Sequence, residues 1–280
     1  MNTKDLYAQI QAKKTMLCVG LDTDFNKMPQ HIQKLAQDGE IAVHGDLLKG
    51  TARSLYEFNK AIIDATSEHC VAYKPNLAFY ECYGREGMLA LEKTVDYIRN
   101  NHPEQFIIAD AKRGDIGNTA KMYAKTYFET MDFDAVTISP YMGSETVTPF
   151  LEYPGKFAIV VALSSNKSSA DFQMAQQDGK PLYQEVMEKM MSISTPDNMM
   201  FVVGATKADK LAEIRKFCPD NFFLVPGVGA QGGSAEEVIA HGANAMGGLL
   251  INSSRGIIYA SNGEDFAEAA GRAAAATANI

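Results

Sequence analysis

Asp110, Lys112 and Asp115 follow directly on the apolar run Phe106 to Ala109. The run has the composition of a strand buried on both faces. On a continuing strand, the two-residue step from Asp110 to Lys112 sends both side chains the same way, and Gly114 allows a turn before Asp115. Charges at the end of a buried strand are costly unless they satisfy one another or receive a ligand. An acid, a base and a second acid in that place are odd equipment for stability alone and suit a site that awaits a ligand.

Two further charges end apolar runs. Asp22 closes the run from Met16, and Lys74 stands near the end of the run from Cys70 to Asn76. A second constellation is Gly-rich, from Pro226 to Gly233, in which Gly227, Gly229 and Gly232 match the spacing of a dinucleotide fingerprint. That fingerprint belongs to the first strand–helix unit and needs an acid about twenty residues on. Here the next strand ends instead in Asn252, Ser253, Ser254 and Arg255. Phosphate fits better: glycine amides and a helix N-terminus donate after one strand, and Arg255 supplies a bidentate cation after the next. Surface placement of Arg255 with glycines for a tight turn is the plainer alternative. His31, His44, His69, His102 and His241 fall on expected helices or their edges, and none forms a metal pair. No G-x-S-x-G elbow is present.

Strands are expected at Met16–Asp22, Cys70–Asn76, Phe106 onward, Ala135–Pro140, Phe157–Leu163, Met200–Ala205, Phe222–Pro226 and Gly248–Asn252. Between them lie helical patterns. Pro29 to Ala36 is short; Leu48, Ala52, Leu55, Phe58, Ile62 and Ala65 recur at helical spacing; others cover 86–100, 208–217 and 234–240. Ser234 and Glu237 have capping-box spacing. Eight such units predict an α/β fold, a (β/α)8 TIM barrel in a single domain over residues 1–280; an open doubly wound sheet is the alternative. In a barrel Asp22, Lys74, Asp110 and Lys112 converge at the mouth formed by the strands' C-terminal ends. Residues 164–198 form an insertion after strand five, and its polar part, Ser164 to Lys180, is a surface loop or a lid.

The chain has 280 residues, of which 46% are hydrophobic and 21% charged, as in ordinary globular proteins. A net charge of -8 and a pI near 5.2 argue against a nucleic-acid or membrane partner, though not against a small anionic substrate. Cys18, Cys70, Cys82 and Cys218 form no CxxC pair. The start of the chain lacks a signal peptide's apolar core and no run is long enough to span a membrane, so a reduced, cytoplasmic protein is expected.

Together, residues 109–119, 73–76, 226–231 and 254–256 resemble the orotidine 5'-phosphate decarboxylase family, in its longer bacterial branch, over most of the chain. The resemblance implies a barrel homodimer with shared active sites. It implies conversion of orotidine monophosphate to uridine monophosphate and carbon dioxide in pyrimidine synthesis, with no cofactor and no metal. Carried over residue by residue, Lys112 is similar to the proton donor at pyrimidine C6 and Asp110 to the acid beside the leaving carboxylate. Asp115 resembles the acid given across the dimer interface, with Ile116 and Thr119 from the same segment. Asp22 and Lys74 resemble ribose-binding and network residues, Gln231 and Arg255 the phosphate grip, and Ser165 the serine that contacts the pyrimidine. Two rivals share these features. One is a metal-dependent sugar-phosphate lyase of the hexulose-phosphate synthase type; the other is a barrel that binds nucleotide without turning it over.

Overall fold

A computed structural model describes residues 1–205, 208–227 and 234–278. Each short apolar run forms a strand: β1 Leu17–Leu21, β2 Ala72–Pro75, β3 Phe106–Arg113, β4 Ala135–Ile138, β5 Phe157–Leu163, β6 Met199–Val203, β7 Phe223–Pro226 and β8 Leu249–Ser253. They pair in parallel and in chain order. β1 closes on β8 through Leu17↔Ile251, Cys18↔Asn252 and Val19↔Ser253. Closure selects the (β/α)8 barrel over the open sheet.

Strand parity sets what fills the barrel. Cys18, Ala72, Ile108, Ala135, Ile159 and Leu250 belong to an inner cluster, separate from the larger one between strands and helices. Phe106 and Phe157 meet edge to face within it, at 5.7 Å between centroids. Leu6 and Ile10, from the helix Thr3–Lys13, join the same cluster. One more two-residue step toward the C-terminal ends reaches Gly20, Lys74, Asp110, Thr137, Val161 and Asn252. A greasy interior thus gives way to a polar mouth within one layer.

The helix expected from Leu48 begins at Gly50 and runs to Thr66. Leu48 instead ends a two-stranded ribbon, pairing with Ile41. His44 and Gly45 form its tip with positive φ of 44° and 85°, as tight hairpins require. His44 is therefore a turn residue and not part of a helix. Of the segment 164–198, Leu182–Met191 is a helix that buries Tyr183, Met187 and Met190, so it serves as the barrel's fifth helix. Ahead of it lie a 3-10 turn at Lys167–Asp171 and a small ribbon pairing Gln176 with Pro181. No helix among the described residues is long and apolar enough to cross a membrane.

Candidate active site

β2 and β3 deliver the central charges. Lys74 Nζ donates to Asp110 Oδ2 at 2.9 Å, and Lys112 Nζ donates to Asp110 Oδ1 at 2.6 Å. One carboxylate therefore bridges two ammoniums. The side chains of Lys74 and Asp110 are 5% and 9% exposed, whereas that of Lys112 is 55% exposed toward solvent at the mouth. The route by which Lys112 reaches Asp110 differs from the even strand expected. Pairing with β4 shifts between Ala109 and Arg113, and Lys112 takes a left-handed φ of 47°. That conformation is uncommon for a residue with a Cβ. The bulge, not simple alternation, turns the lysine back onto its own strand's acid.

Burial by itself would push the Asp110 carboxyl up, but the Lys74 and Lys112 ammoniums outweigh it and hold the group well below the usual carboxylate range. Burial likewise works against charge on Lys74. The nearby charges of Asp110 and Asp22 overcome it and keep the ammonium above the ordinary lysine value. Lys74 and Asp110 therefore both stay charged at neutral pH, in a setting that strengthens the field between them.

Asp22 follows directly on β1, and its Oδ1 is buried without a hydrogen-bond partner. Its backbone is held from both sides. Tyr80 Oη donates to Leu21 O at 3.1 Å and Tyr259 Oη to Asp22 O at 2.9 Å. Thr23 Oγ1 donates to Asn59 Oδ1 at 2.7 Å, and Asn59 Nδ2 donates to Tyr80 Oη at 3.0 Å, so the Tyr80 hydroxyl sits inside a buried polar network. A fixed backbone carrying an unsatisfied acid presents that acid to a ligand.

Asp115 does not join the array. Its Oδ1 accepts the Ile116 N–H at 2.8 Å, and it forms no ion pair with a described residue. Ile116 and Thr119 are exposed at the start of the helix Gly117–Lys125. Gly114 serves a close approach rather than a turn: a Cβ there would stand 2.9 Å from Ser139 O, and the positive φ falls on Gly117.

Arg255 opens the short helix Arg255–Ile258 and is exposed, and its side chain has no hydrogen-bond or ion-pair partner among the described residues. Pro226 pairs with Asn252, which brings the ends of β7 and β8 side by side. Gly229, Gln231 and Gly232 lie outside the described residues. Ser165 follows β5, and its backbone packs against Gly204 beyond β6: a Cβ on Gly204 would lie 2.6 Å from Ser165 N. The ends of β8 and β3, which carry Arg255 and Asp110, are separated by β1 and β2, about 14 Å along the sheet at ordinary strand spacing.

Two residues escape a reading based on charge alone. Thr137 on β4 donates to Asp110 Oδ1 at 3.0 Å and accepts the Lys112 N–H at 2.9 Å. Asn252 on β8 is buried, with its Oδ1 unpartnered. Strand parity places both at the mouth, but neither has a residue type that draws notice. Among the described residues no group of three or more His, Cys, Asp and Glu side chains could hold a metal ion.

A closed parallel barrel with paired charges on successive strand ends is the build of a (β/α)8-barrel enzyme. Comparison narrows the class. The model of the "Orotidine 5'-phosphate decarboxylase / HUMPS family" matches residues 15–270. An orotidine 5'-phosphate decarboxylase of Phocaeicola vulgatus is 53% identical over 275 residues, covering 98% of this chain and 95% of that protein. One from Bacteroides fragilis is 53% identical over 276 residues, 98% of this chain and 94% of that protein. The solved OMP decarboxylase of Leishmania donovani superposes with a TM-score of 0.78 at 35% identity, over 97% of this chain and 95% of that one. The chain belongs to the orotidine 5'-phosphate decarboxylase / HUMPS family, and it is a carboxy-lyase.

Proposed function

We propose that the chain converts orotidine 5'-monophosphate to uridine 5'-monophosphate and carbon dioxide in pyrimidine synthesis, with Lys112 as proton donor and no cofactor. The observation that carries this reading is the Lys74–Asp110–Lys112 array, in which the ammonium facing the open mouth is tied to a carboxylate that cannot easily be neutralised. Breaking the bond from C6 to the carboxylate leaves an electron pair on C6 with little resonance relief. The Lys112 ammonium stabilises that charge as it grows, then transfers a proton to C6 and is recharged from solvent. One proton is consumed for each carbon dioxide released.

Arg255 at the far side of the mouth binds the phosphate, with Gln231, while Asp22 and Lys74 meet the ribose and Ser165 the pyrimidine. Phosphate binding remote from C6 contributes to positioning at C6. Asp115 forms no ion pair with the lysines of its own array, which supports its service, with Ile116 and Thr119, to the site of a second subunit in a homodimer. Exposed Ile116, Met122, Tyr141 and Met142 favour the same arrangement, since apolar surface of this kind marks contact regions. A cytoplasmic location accords with this role.

The rival sugar-phosphate lyase needs carboxylates free to ligate a divalent cation. Both oxygens of Asp110 accept ammoniums instead, which favours decarboxylation. The test follows the ultraviolet absorbance of orotidine monophosphate with the protein, with and without EDTA. Loss of the substrate band that EDTA does not slow is expected. An unchanged spectrum defeats the reading in favour of a binding protein, and activity lost to EDTA and restored by Mg²⁺ defeats the metal-free mechanism.

A further inference from the structure

The bulge in β3 leaves a gap in the ladder that one side chain closes. Ala109 pairs with Val136 and Arg113 with Ile138, so residues 110–112 stand against Thr137 alone. The Lys112 N–H, turned out of register, donates to Thr137 Oγ1 at 2.9 Å. A threonine hydroxyl has one proton and two lone pairs. With Lys112 occupying one lone pair, the proton has two acceptors in reach, Asp110 Oδ1 at 3.0 Å and Ala109 O at 3.5 Å. The nearer, charged acceptor takes it. Thr137 is buried, so water does not compete for these bonds.

We propose that Thr137 is a positioning residue for the reaction: its hydroxyl holds the left-handed turn of Lys112 and aims the carboxylate of Asp110. The inference rests on the roles given above to Lys112 and Asp110. A left-handed residue with a side chain persists only where its surroundings impose it, and here the hydroxyl meets both the strained backbone and the acid that its ammonium seeks. Two hydrogen bonds from one atom therefore couple the backbone of Lys112 to the orientation of its partner. Thr137 touches no reacting atom; it acts through the pair.

Thr137→Val preserves shape and removes both bonds, while Thr137→Ser keeps the hydroxyl and drops the methyl. In T137V, kcat for orotidine monophosphate should fall by about tenfold to a hundredfold, the scale set by a small misplacement of a reacting group. KM and the affinity for uridine monophosphate should move by less than about threefold, because ground-state binding is spared. T137S should recover most of kcat. If the wild type does not turn over orotidine monophosphate, the functional reading fails. If it does and T137V matches it, this inference alone fails. Equal losses in kcat and in nucleotide affinity, or a T137S as impaired as T137V, also overturn it. Should T137V not fold, T137A carries the same comparison, and failure of both to fold beside a fully active T137S makes the hydroxyl structural and overturns the proposal.

Discussion

Lys74 and Asp110 form an ion pair at 2.9 Å across the ends of neighbouring strands, with 5% and 9% of their side chains exposed. Removing one partner leaves a charge in a place that water cannot reach. Asp110→Ala should therefore destabilise the fold by about 3–5 kcal/mol. The double variant K74M/D110A, with both charges gone, should recover at least half of that loss. Denaturant unfolding measures both. A double variant less stable than D110A would show that the cost lies in packing rather than in an orphaned ammonium.

Lys112 carries the proposed chemistry yet has the most exposed side chain of the trio. Lys112→Ala should lower kcat by on the order of 10⁴-fold, from loss of the general acid together with its field. Uridine monophosphate affinity should survive, and stability should change little, because the Lys74 bond to Asp110 remains. Turnover near the wild-type rate would remove Lys112 from the mechanism.

The Arg255 guanidinium has no partner among the described residues, which suits it to receive an anion. Arg255→Ala should weaken uridine monophosphate by about tenfold to a hundredfold, the worth of charge-assisted hydrogen bonds. Uridine itself should bind as before. Calorimetric titration of both ligands decides the matter, and equal losses would remove the phosphate role.

Gly204 fits where a Cβ would strike backbone atoms of Ser165 at 2.6 and 2.7 Å. Gly204→Ala must displace the start of the segment after β5, at about 1–3 kcal/mol for overpacking. Activity should fall with stability. A variant with unchanged melting and kcat would mean that this contact is readily relaxed.

The pair also has a pH signature. Asp110 is held well below the usual range, so the unfolded chain takes up its proton near pH ~4 while the folded one stays ionised. Stability from this group is complete above that pH and is lost as pH falls toward the folded value. Lys74 is raised, so its contribution is complete below pH ~10.4 and is lost only as pH rises beyond it. The difference in unfolding free energy between wild type and K74M/D110A should be level from about pH 5 to 9 and shrink below about pH 4. A steady decline between pH 9 and 5 would contradict these directions.

The eight strands and most helices are legible in the chain because apolar periodicity is local and strands buried on both faces leave uninterrupted runs. Their position at the strand ends also places Asp22, Lys74 and Asp110 at one mouth without any knowledge of distance. Where a local cue had two outlets, it misled. Leu48 continues a helical spacing yet pairs with Ile41 in a ribbon, because the His44–Gly45 turn takes that stretch first.

The sequence by itself determined the number of strand–helix units and the acids and bases that crown the strands. Only the tertiary structure decided that β1 closes on β8, that Asp110 answers two ammoniums while Asp115 answers neither, and that a bulge opposite Thr137 bends Lys112 back to its acid. The reason is physical. Periodicity is a property of one segment, whereas register, bulges and hydrogen bonds between strands are properties of two, and they are settled when packing brings the segments together.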